Sequence, residues 1–170
     1  MPSIIFFRHP EHTIIGEWGL VCGEAGVPAL LNSLFFFGFL LGVAACGRMA
    51  DSGGRRPTYF GSLLVCSVGG VFATMAPNLL VFSLGRFVTG VGVGGFGLVA
   101  YVLATELVGP SWQSVCGTAE AGFFAVGLVI LSPVAYWLQP WRQLAFAILL
   151  AQLCFFLLRR GLVESPKWCV

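Results

Sequence analysis

Two ionisable residues, Arg86 and Glu120, lie inside long apolar stretches of the sequence. If those stretches cross a bilayer, each charge costs at least about 2.5 kcal/mol at the centre of its helix, so each is a candidate for binding an ion or pairing with an opposite charge. The residue types needed for catalysis are poorly placed. His9 and His12 lie outside the apolar stretches, and the six cysteines show no Cys-x-x-Cys spacing. We therefore predict no enzyme, no metal site and no cofactor.

The composition indicates the environment in which these residues lie. Hydrophobic residues make up 58% of the chain and charged residues 9%, and the mean hydropathy is +0.92. A soluble domain carries about a quarter charged residues, which it needs at its surface. The net charge of +2 includes no basic stripe that could neutralise phosphates, so nucleic acid is not an expected partner. The composition predicts an all-α integral membrane protein, with the lipid bilayer as its surroundings.

The elements that must position Arg86 and Glu120 are membrane-spanning helices. A span needs roughly 20 mainly apolar residues, and Ala76-Pro77-Asn78 supplies a turn inside the longest uncharged stretch. Five spans are predicted, at about residues 27–46, 58–75, 79–106, 114–138 and 141–158, the last reaching 163 if Arg159 and Arg160 snorkel.

Basic residues predict the orientation of these spans. Six lie on one side, Arg48, Arg55, Arg56, Arg159, Arg160 and Lys167, and two lie on the other, Arg8 and Arg142. By the positive-inside rule, the side with six faces the cytoplasm. The N-terminal segment is then extracellular and the C-terminal end cytoplasmic. Because no signal peptide is evident, we expect a missing upstream span, and hence a fragment.

A short polar segment, residues 47–56, links the first two predicted spans. Gly54 permits a sharp turn, and Asp51 ends one helix close to the positive N-terminus of the next. Arg55 and Arg56 are then held at the cytoplasmic surface, either as a topology anchor or as partners for acids on neighbouring helices. The spacing Gly47, Asp51, Gly54-Arg55-Arg56 resembles the loop between helices two and three of the major facilitator superfamily, although Ser52 stands where a basic residue is common.

Three further segments resemble one branch of that superfamily, the organic cation and anion transporters. Residues 17–22, Glu-Trp-Gly-Leu-Val-Cys, are similar to the end of its large extracellular loop, with Gly19 in place of an Asp. Residues 104–112, Ala-Thr-Glu-Leu-Val-Gly-Pro-Ser-Trp, are similar to the link between its helices four and five, with Gln113 where Arg is usual. Residues 164–168, Glu-Ser-Pro-Lys-Trp, are similar to the segment after its helix six.

The resemblance implies five helices, two to six, of a twelve-helix major facilitator fold in the plasma membrane. Residues 1–26 would end the extracellular loop, 27–163 would form the five-helix part of the N-terminal bundle, and 164–170 would begin a cytoplasmic linker. Helices one and seven to twelve would be missing partners. In this family the segment after helix two locks against neighbouring helices in one state and releases in the other. The residues expected to take part are Gly47, Asp51, Gly54, Arg55, Arg56, Glu106 and Glu164. For Glu106, the alternative is a solvated helix end.

The intramembrane charges leave several interpretations open. Their estimated depths differ by only several ångström in a core about 30 Å thick, so Arg86 and Glu120 could pair across adjacent helices. Alternatively, Arg86 pairs with an acid on the missing first helix and Glu120 meets a cationic substrate, or Glu120 is protonated and silent. Tyr101 and Phe124 could line a substrate path through cation–π contacts, although contact with lipid or a helix is the simpler role.

The expected function is transport of a small organic ion by alternating access, with a cation or zwitterion favoured over an anion. Five helices alone should be inactive. Two alternatives remain: a sugar-type porter, which residues 17–22 argue against, and a non-transporting, receptor-like relative, which the departures at Gly19, Ser52 and Gln113 keep open.

Overall fold

A computed structural model describes residues 13–20, 26–108 and 110–157. In this part of the chain all regular secondary structure is helical, as the composition predicts. The elements are α1 (Ile14–Glu17), α2 (Val27–Gly53), α3 (Arg55–Thr74), α4 (Leu79–Leu107), a 3-10 turn (Pro110–Trp112), α5 (Gln113–Trp137) and α6 (Trp141–Leu157).

Four helices, α2 to α5, are long and apolar enough to cross a membrane. Helix α6 is apolar but has 17 described residues, about 26 Å at 1.5 Å per residue, and its predicted continuation lies outside the described residues. The largest difference from the predicted spans is in α2, which continues to Gly53 instead of ending near Cys46. The prediction followed the apolar run, whereas polar residues at a membrane surface can stay helical because water satisfies them.

Successive helices from α2 to α6 alternate in direction, so the bundle has two ends. The turn at Gly54 and the start of α5 lie at one, called here the Gly54 end. The α3–α4 turn and the start of α6 lie at the other, called the Trp141 end. At the Trp141 end, Asn78 caps α4 by accepting a hydrogen bond from the Val81 amide at 2.9 Å. Side-chain capping satisfies an otherwise unpaired donor at the helix start.

Helices α2 and α4 interlock through paired glycines. A Cβ added at Gly38 or Gly42 would collide with the backbone carbonyls of Phe87 and Val91 on α4. A Cβ added at Gly90 or Gly94 would collide with the carbonyls of Phe35 and Phe39 on α2. Small residues four apart let two membrane helices approach this closely. These two glycine pairs therefore set the close packing of α2 against α4.

Helix α3 packs against the other side of α4 through a second set of small residues. A Cβ added at Gly85 would lie 2.6 Å from the Ala73 amide nitrogen, and one added at Gly69 would lie 2.5 Å from the Thr89 amide nitrogen. Buried hydroxyls on α3 are satisfied within the helix: Thr58 donates to the Gly54 carbonyl at 2.8 Å. Helix α4 is therefore held between α2 and α3, which makes it the central element.

Helices α5 and α6 lie at the periphery of this three-helix core. Helix α5 has no buried residue. Helix α6 packs against α3, where a Cβ added at Gly70 would lie 2.7 Å from Leu149 Cδ2 and the rings of Phe60 and Phe156 are 6.0 Å apart. Since apolar contact with lipid replaces contact with protein in a bilayer, an exposed helix such as α5 is compatible with a membrane environment.

Candidate functional site

The turn between α2 and α3 depends on one residue, Gly54. Its backbone has φ +100° and ψ 151°, a conformation that L side chains rarely adopt. Gly54 is both the C-cap residue of α2 and the N-cap residue of α3. The predicted sharp turn is therefore present, and it is confined to a single residue that places Arg55 at the start of α3.

Arg55 of α3 makes a bidentate contact with Glu106 of α4. Arg55 Nη2 lies 3.0 Å from Glu106 Oε1, and Arg55 Nε lies 3.3 Å from Glu106 Oε2. The two side chains are only 17% and 12% exposed. A guanidinium that donates two parallel hydrogen bonds to one carboxylate is among the stronger and more directional polar contacts in proteins. The sequence left Arg55 or Arg56 as partners for Glu106, and the structure shows a contact with Arg55.

Asp51 extends this contact to α2. Its Oδ1 lies 2.7 Å from Arg55 Nη1, and its side chain is 70% exposed. Exposed ion pairs add little stability, so the main contact is the one between Arg55 and Glu106. Gly47 lies on α2 near the same end, where an added Cβ would lie 3.3 Å from Leu98 Cδ2 of α4. Arg56 is half-buried on α3, and Glu164 lies outside the described residues.

Arg86 faces α2 and not α5. Its Cζ lies 5.0 Å from the centroid of the Phe35 ring, a cation–π geometry, and its Nη2 lies 3.5 Å from Asn32 Oδ1. Among the described residues no ion pair joins Arg86 to Glu120, so the first pairing considered from the sequence is absent. Asn32 was overlooked, although it is the only amide side chain in the first apolar stretch.

Glu120 lies too far along the bundle to reach Arg86. A Cβ added at Gly117 would lie 3.5 Å from Tyr101 Cε2, so Gly117 is level with Tyr101. Because α4 and α5 run in opposite directions, Glu120 is level with about residue 98 of α4. Arg86 is then some 12 residues away, about 18 Å. The predicted depths assumed a 30 Å path, whereas α4 has 29 residues and is about 43 Å long.

Tyr101 and Phe124 are both exposed, at 45% and 71%. The Tyr101 ring lies next to Gly117, on the side of α4 that faces α5. The structure brings neither aromatic residue together with Arg86. Their predicted place on a substrate path stays a prediction.

A cavity of about 570 Å³ lies between α3, α4 and α6, and Arg86 is part of its lining. Small-molecule sites commonly occupy about 300–1,000 Å³. The lining is largely apolar, with polar groups from Tyr59, Thr89 and Gln152. Gln152 Nε2 lies 3.5 Å from the Leu63 carbonyl oxygen. Such a cavity has the size and the mixed lining that an amphiphilic molecule or an apolar helix face requires.

A second polar cluster, at the Trp141 end, was not foreseen from the sequence. Arg142 Nη2 lies 2.5 Å from Glu17 Oε1, and Trp141 Nε1 donates to Glu17 Oε2 at 2.7 Å. The hydrogen bond from Arg142, with that from Trp141, holds the pKa of the Glu17 carboxyl below its usual 4.5. The sequence signal for this cluster was the position of Glu17 beside a tryptophan outside the spans. The partner of Glu17, Arg142, lies 125 residues away in the sequence and was not indicated.

Among the described residues, no cluster of three or more histidine, cysteine or acidic side chains could hold a metal ion. The cysteines that the structure describes, Cys46, Cys66, Cys116 and Cys154, are free thiols. Cys22 and Cys169 lie outside the described residues.

The chain is similar over most of its length to several transporter and solute-carrier proteins. The chain is 38% identical over 157 residues to the "Organic cation transporter protein" of Drosophila melanogaster, covering 92% of this chain and 29% of that protein. It is 36% identical over 156 residues to "Organic cation/carnitine transporter 4" of Arabidopsis thaliana, covering 91% and 30%. It is 35% identical over 161 residues to "Solute carrier family 22 member 2" of Mus musculus, covering 95% and 29%. The chain thus spans less than a third of the length of each of these relatives, and the predicted resemblance to organic cation transporters is confirmed.

The fold is shared with a solved structure of the xylose transporter XylE from E. coli in an inward-open conformation. The TM-score is 0.76 at 17% sequence identity, covering 86% of this chain and 39% of that one. At this identity the likeness concerns the fold alone. The profile of the Major Facilitator Superfamily matches residues 16–168, which is most of the chain. Its members are transporters and not enzymes, and this chain, a multi-pass membrane protein, belongs to the Major Facilitator Superfamily.

Proposed function

We propose that this chain forms part of a carrier that moves small organic ions across a membrane by alternating access, with cations or zwitterions favoured over anions. The observation that carries the proposal is the similarity to organic cation transporters, which extends over more than nine tenths of the chain. Helices α2 to α4 supply a rigid core, and the contact between Arg55 and Glu106 fastens α3 to α4. Alternating access requires such a bundle to move as a unit around a substrate site.

The contact between Arg55 and Glu106 is, in this proposal, a breakable tie at the cytoplasmic end of the bundle. Both side chains are largely withdrawn from solvent, so opening the contact requires each charge to find water or another partner. Asp51 offers Arg55 a second carboxylate at 2.7 Å. Arg55 can therefore exchange partners without becoming an isolated charge, which is what a switch between two states needs. The orientation, with the Gly54 end in the cytoplasm, is part of the proposal and rests on the distribution of basic residues.

A chimaeric carrier tests the proposal. In it, this chain replaces the 157 matched residues of the Drosophila relative, and uptake of radiolabelled tetraethylammonium and of radiolabelled benzoate is measured in the same cells. We expect saturable uptake of the cation by the chimaera, little uptake of the anion, and no uptake by the 170-residue chain alone.

Failure of the chimaera to move either probe, while it reaches the cell surface as well as the unaltered relative, would argue for a non-transporting role. Uptake of benzoate in preference to tetraethylammonium would reverse the proposed charge preference. A sugar-type function has no support from the structure, because the likeness to the xylose transporter concerns only the fold.

A further inference from the structure

Residues 13–20 form a folded strap at the Trp141 end of the bundle. Thr13 Oγ1 accepts a hydrogen bond from the Gly16 amide at 3.1 Å and so begins the short helix α1. After α1 the chain turns at Gly19, which has φ +62°, and Leu20 is buried. The Leu20 amide donates to the Ile15 carbonyl at 3.0 Å. The strap therefore has a defined backbone shape of its own.

Arg142 joins this strap to two other parts of the bundle. One guanidinium contacts Glu17 of the strap through Nη2 at 2.5 Å and through Nε at 3.5 Å. The same group donates to the Thr74 carbonyl at 2.9 Å and to the Ala76 carbonyl at 3.1 Å. Both carbonyls belong to the end of α3 and the α3–α4 turn, while Arg142 itself is at the start of α6. One side chain thus connects the strap, the α3–α4 turn and α6.

Aromatic packing aligns the strap on the same end. The Trp18 ring lies 5.0 Å from the Phe82 ring and 5.9 Å from the Trp141 ring, and the rings of Phe82 and Trp141 are 5.7 Å apart. Phe82 belongs to a buried apolar cluster with Leu31 and Ala76, and Trp18 and Trp141 pack against that cluster. Aromatic pairs at these separations add stabilisation beyond the area that they bury.

The strap and its anchors form one end wall of the cavity. Ile14 of the strap lines the cavity, together with Thr74, Phe82 and Trp141. Cys66 lines it farther in, eight residues before the end of α3, or about 12 Å along the helix. Ile14 of the strap therefore lies at the Trp141 end of the same cavity that Cys66 lines.

We propose that residues 13–20 are a strap that Arg142 holds across the cavity, and that the contact between Glu17 and Arg142 keeps this end of the cavity closed to polar solutes. The side chains of Arg142 and Glu17 are 36% and 29% exposed, so water reaches the contact and it can open. When it opens, Arg142 keeps its two backbone carbonyls as acceptors. The strap is then released while α6 stays in place. The proposal does not depend on which ion the carrier moves.

Labelling of Cys66 with a positively charged methanethiosulfonate reagent tests the strap, with the 170-residue chain in lipid nanodiscs and labelling rates read for each cysteine by mass spectrometry. The test variant is Glu17→Gln, which removes the charge of the strap and leaves the hydrogen bonds between Arg142 and the carbonyls available. Charge-assisted hydrogen bonds are stronger than neutral ones, so we expect the Cys66 labelling rate to rise at least about fivefold. Hydrogen–deuterium exchange of the Glu17, Trp18 and Leu20 amides should also become faster.

Asp51→Asn is the matched control, because it makes the same kind of change in a carboxylate that pairs with an arginine at the opposite end. It should leave the Cys66 rate unchanged. Unchanged Cys66 labelling in Glu17→Gln would overturn the proposal, whether or not amide exchange in the strap becomes faster. Cys116 on α5 does not line the cavity, so a rise at Cys116 as large as that at Cys66 would also overturn it, because it would show general unfolding.

Discussion

At the scale of single residues, Gly54 carries the turn that positions Arg55. Its φ of +100° is strained for any residue with a Cβ, at a cost of roughly 1–3 kcal/mol. We expect Gly54→Ala to lower the free energy of unfolding in detergent by about this amount. The neighbouring Gly53→Ala is the control, because Gly53 lies in α2 and an added Cβ meets nothing within 4 Å. Equal effects of the two substitutions would contradict the role given to Gly54.

Glu106 should matter more than Asp51 to the stability of the bundle. Glu106→Gln leaves the largely buried Arg55 without its main counter-charge, and losing one partner of a buried ion pair costs up to about 3–5 kcal/mol. Asp51→Asn removes a mainly exposed partner, so we expect a loss below about 1 kcal/mol. Denaturant unfolding of both variants in the same detergent measures the difference. A larger loss for Asp51→Asn would show that the assignment of the main contact is wrong.

The contact between Glu17 and Arg142 predicts an effect of acid. A carboxyl whose pKa is lowered by folding contributes stability that is complete above its unfolded pKa, near 4.5, and that is lost as pH falls through the lower, folded pKa. Amide exchange in residues 13–20 should therefore become faster as pH falls below about 4.5, after correction for intrinsic exchange. Glu17→Gln should lack this added acceleration. An identical pH profile for both proteins would contradict the prediction.

At the scale of helices, the close approach of α2 and α4 depends on glycines that face carbonyl groups. Gly94→Ala would place a Cβ against the Phe39 carbonyl, whereas Gly97→Ala, one turn away on the same helix, meets nothing within 4 Å. Overpacking of this kind costs typically about 1–3 kcal/mol. We expect Gly94→Ala to lower the unfolding midpoint and Gly97→Ala to leave it unchanged or raise it slightly. A comparable loss in both variants would mean that the α2–α4 contact is not as close as described.

The helices show how far the sequence predicts this structure. Apolar runs located the helices, and a sharp turn was expected at Gly54. For Glu106 the family resemblance predicted Arg55 or Arg56 as a partner, and the structure shows a contact with Arg55. The depth of a residue in the membrane was predicted less accurately than the position of a helix in the sequence. The apolar run does not show that α4 extends beyond the bilayer core, and this displaced the expected position of Arg86 relative to Glu120.

Contacts between segments far apart in the sequence were the second feature that could not be predicted. Glu17 and Arg142 are separated by 125 residues, and neither local pattern indicates that they meet. The sequence predicts Arg142 only as a basic residue on the extracellular side, since a charge near a span end has an orienting role that needs no partner.

At the scale of the whole molecule, the described helices form an ordered core with an open periphery. Helices α2, α3 and α4 pack through glycines, whereas α5 has no buried residue and a cavity of about 570 Å³ separates α6 from part of α4. This arrangement suits a bundle that is completed by further membrane helices.

Tetraethylammonium uptake by the chimaeric carrier, compared with its Arg55→Gln, Glu106→Gln and Asp51→Asn variants at matched surface expression, tests the central claim most directly. The account predicts saturable uptake by the chimaera, a loss of at least about tenfold in the maximal rate for Arg55→Gln and Glu106→Gln, equivalent to about 1.4 kcal/mol, and a small effect of Asp51→Asn. Uptake that is absent from a well-expressed chimaera, or that is indifferent to Arg55 and Glu106, would contradict it.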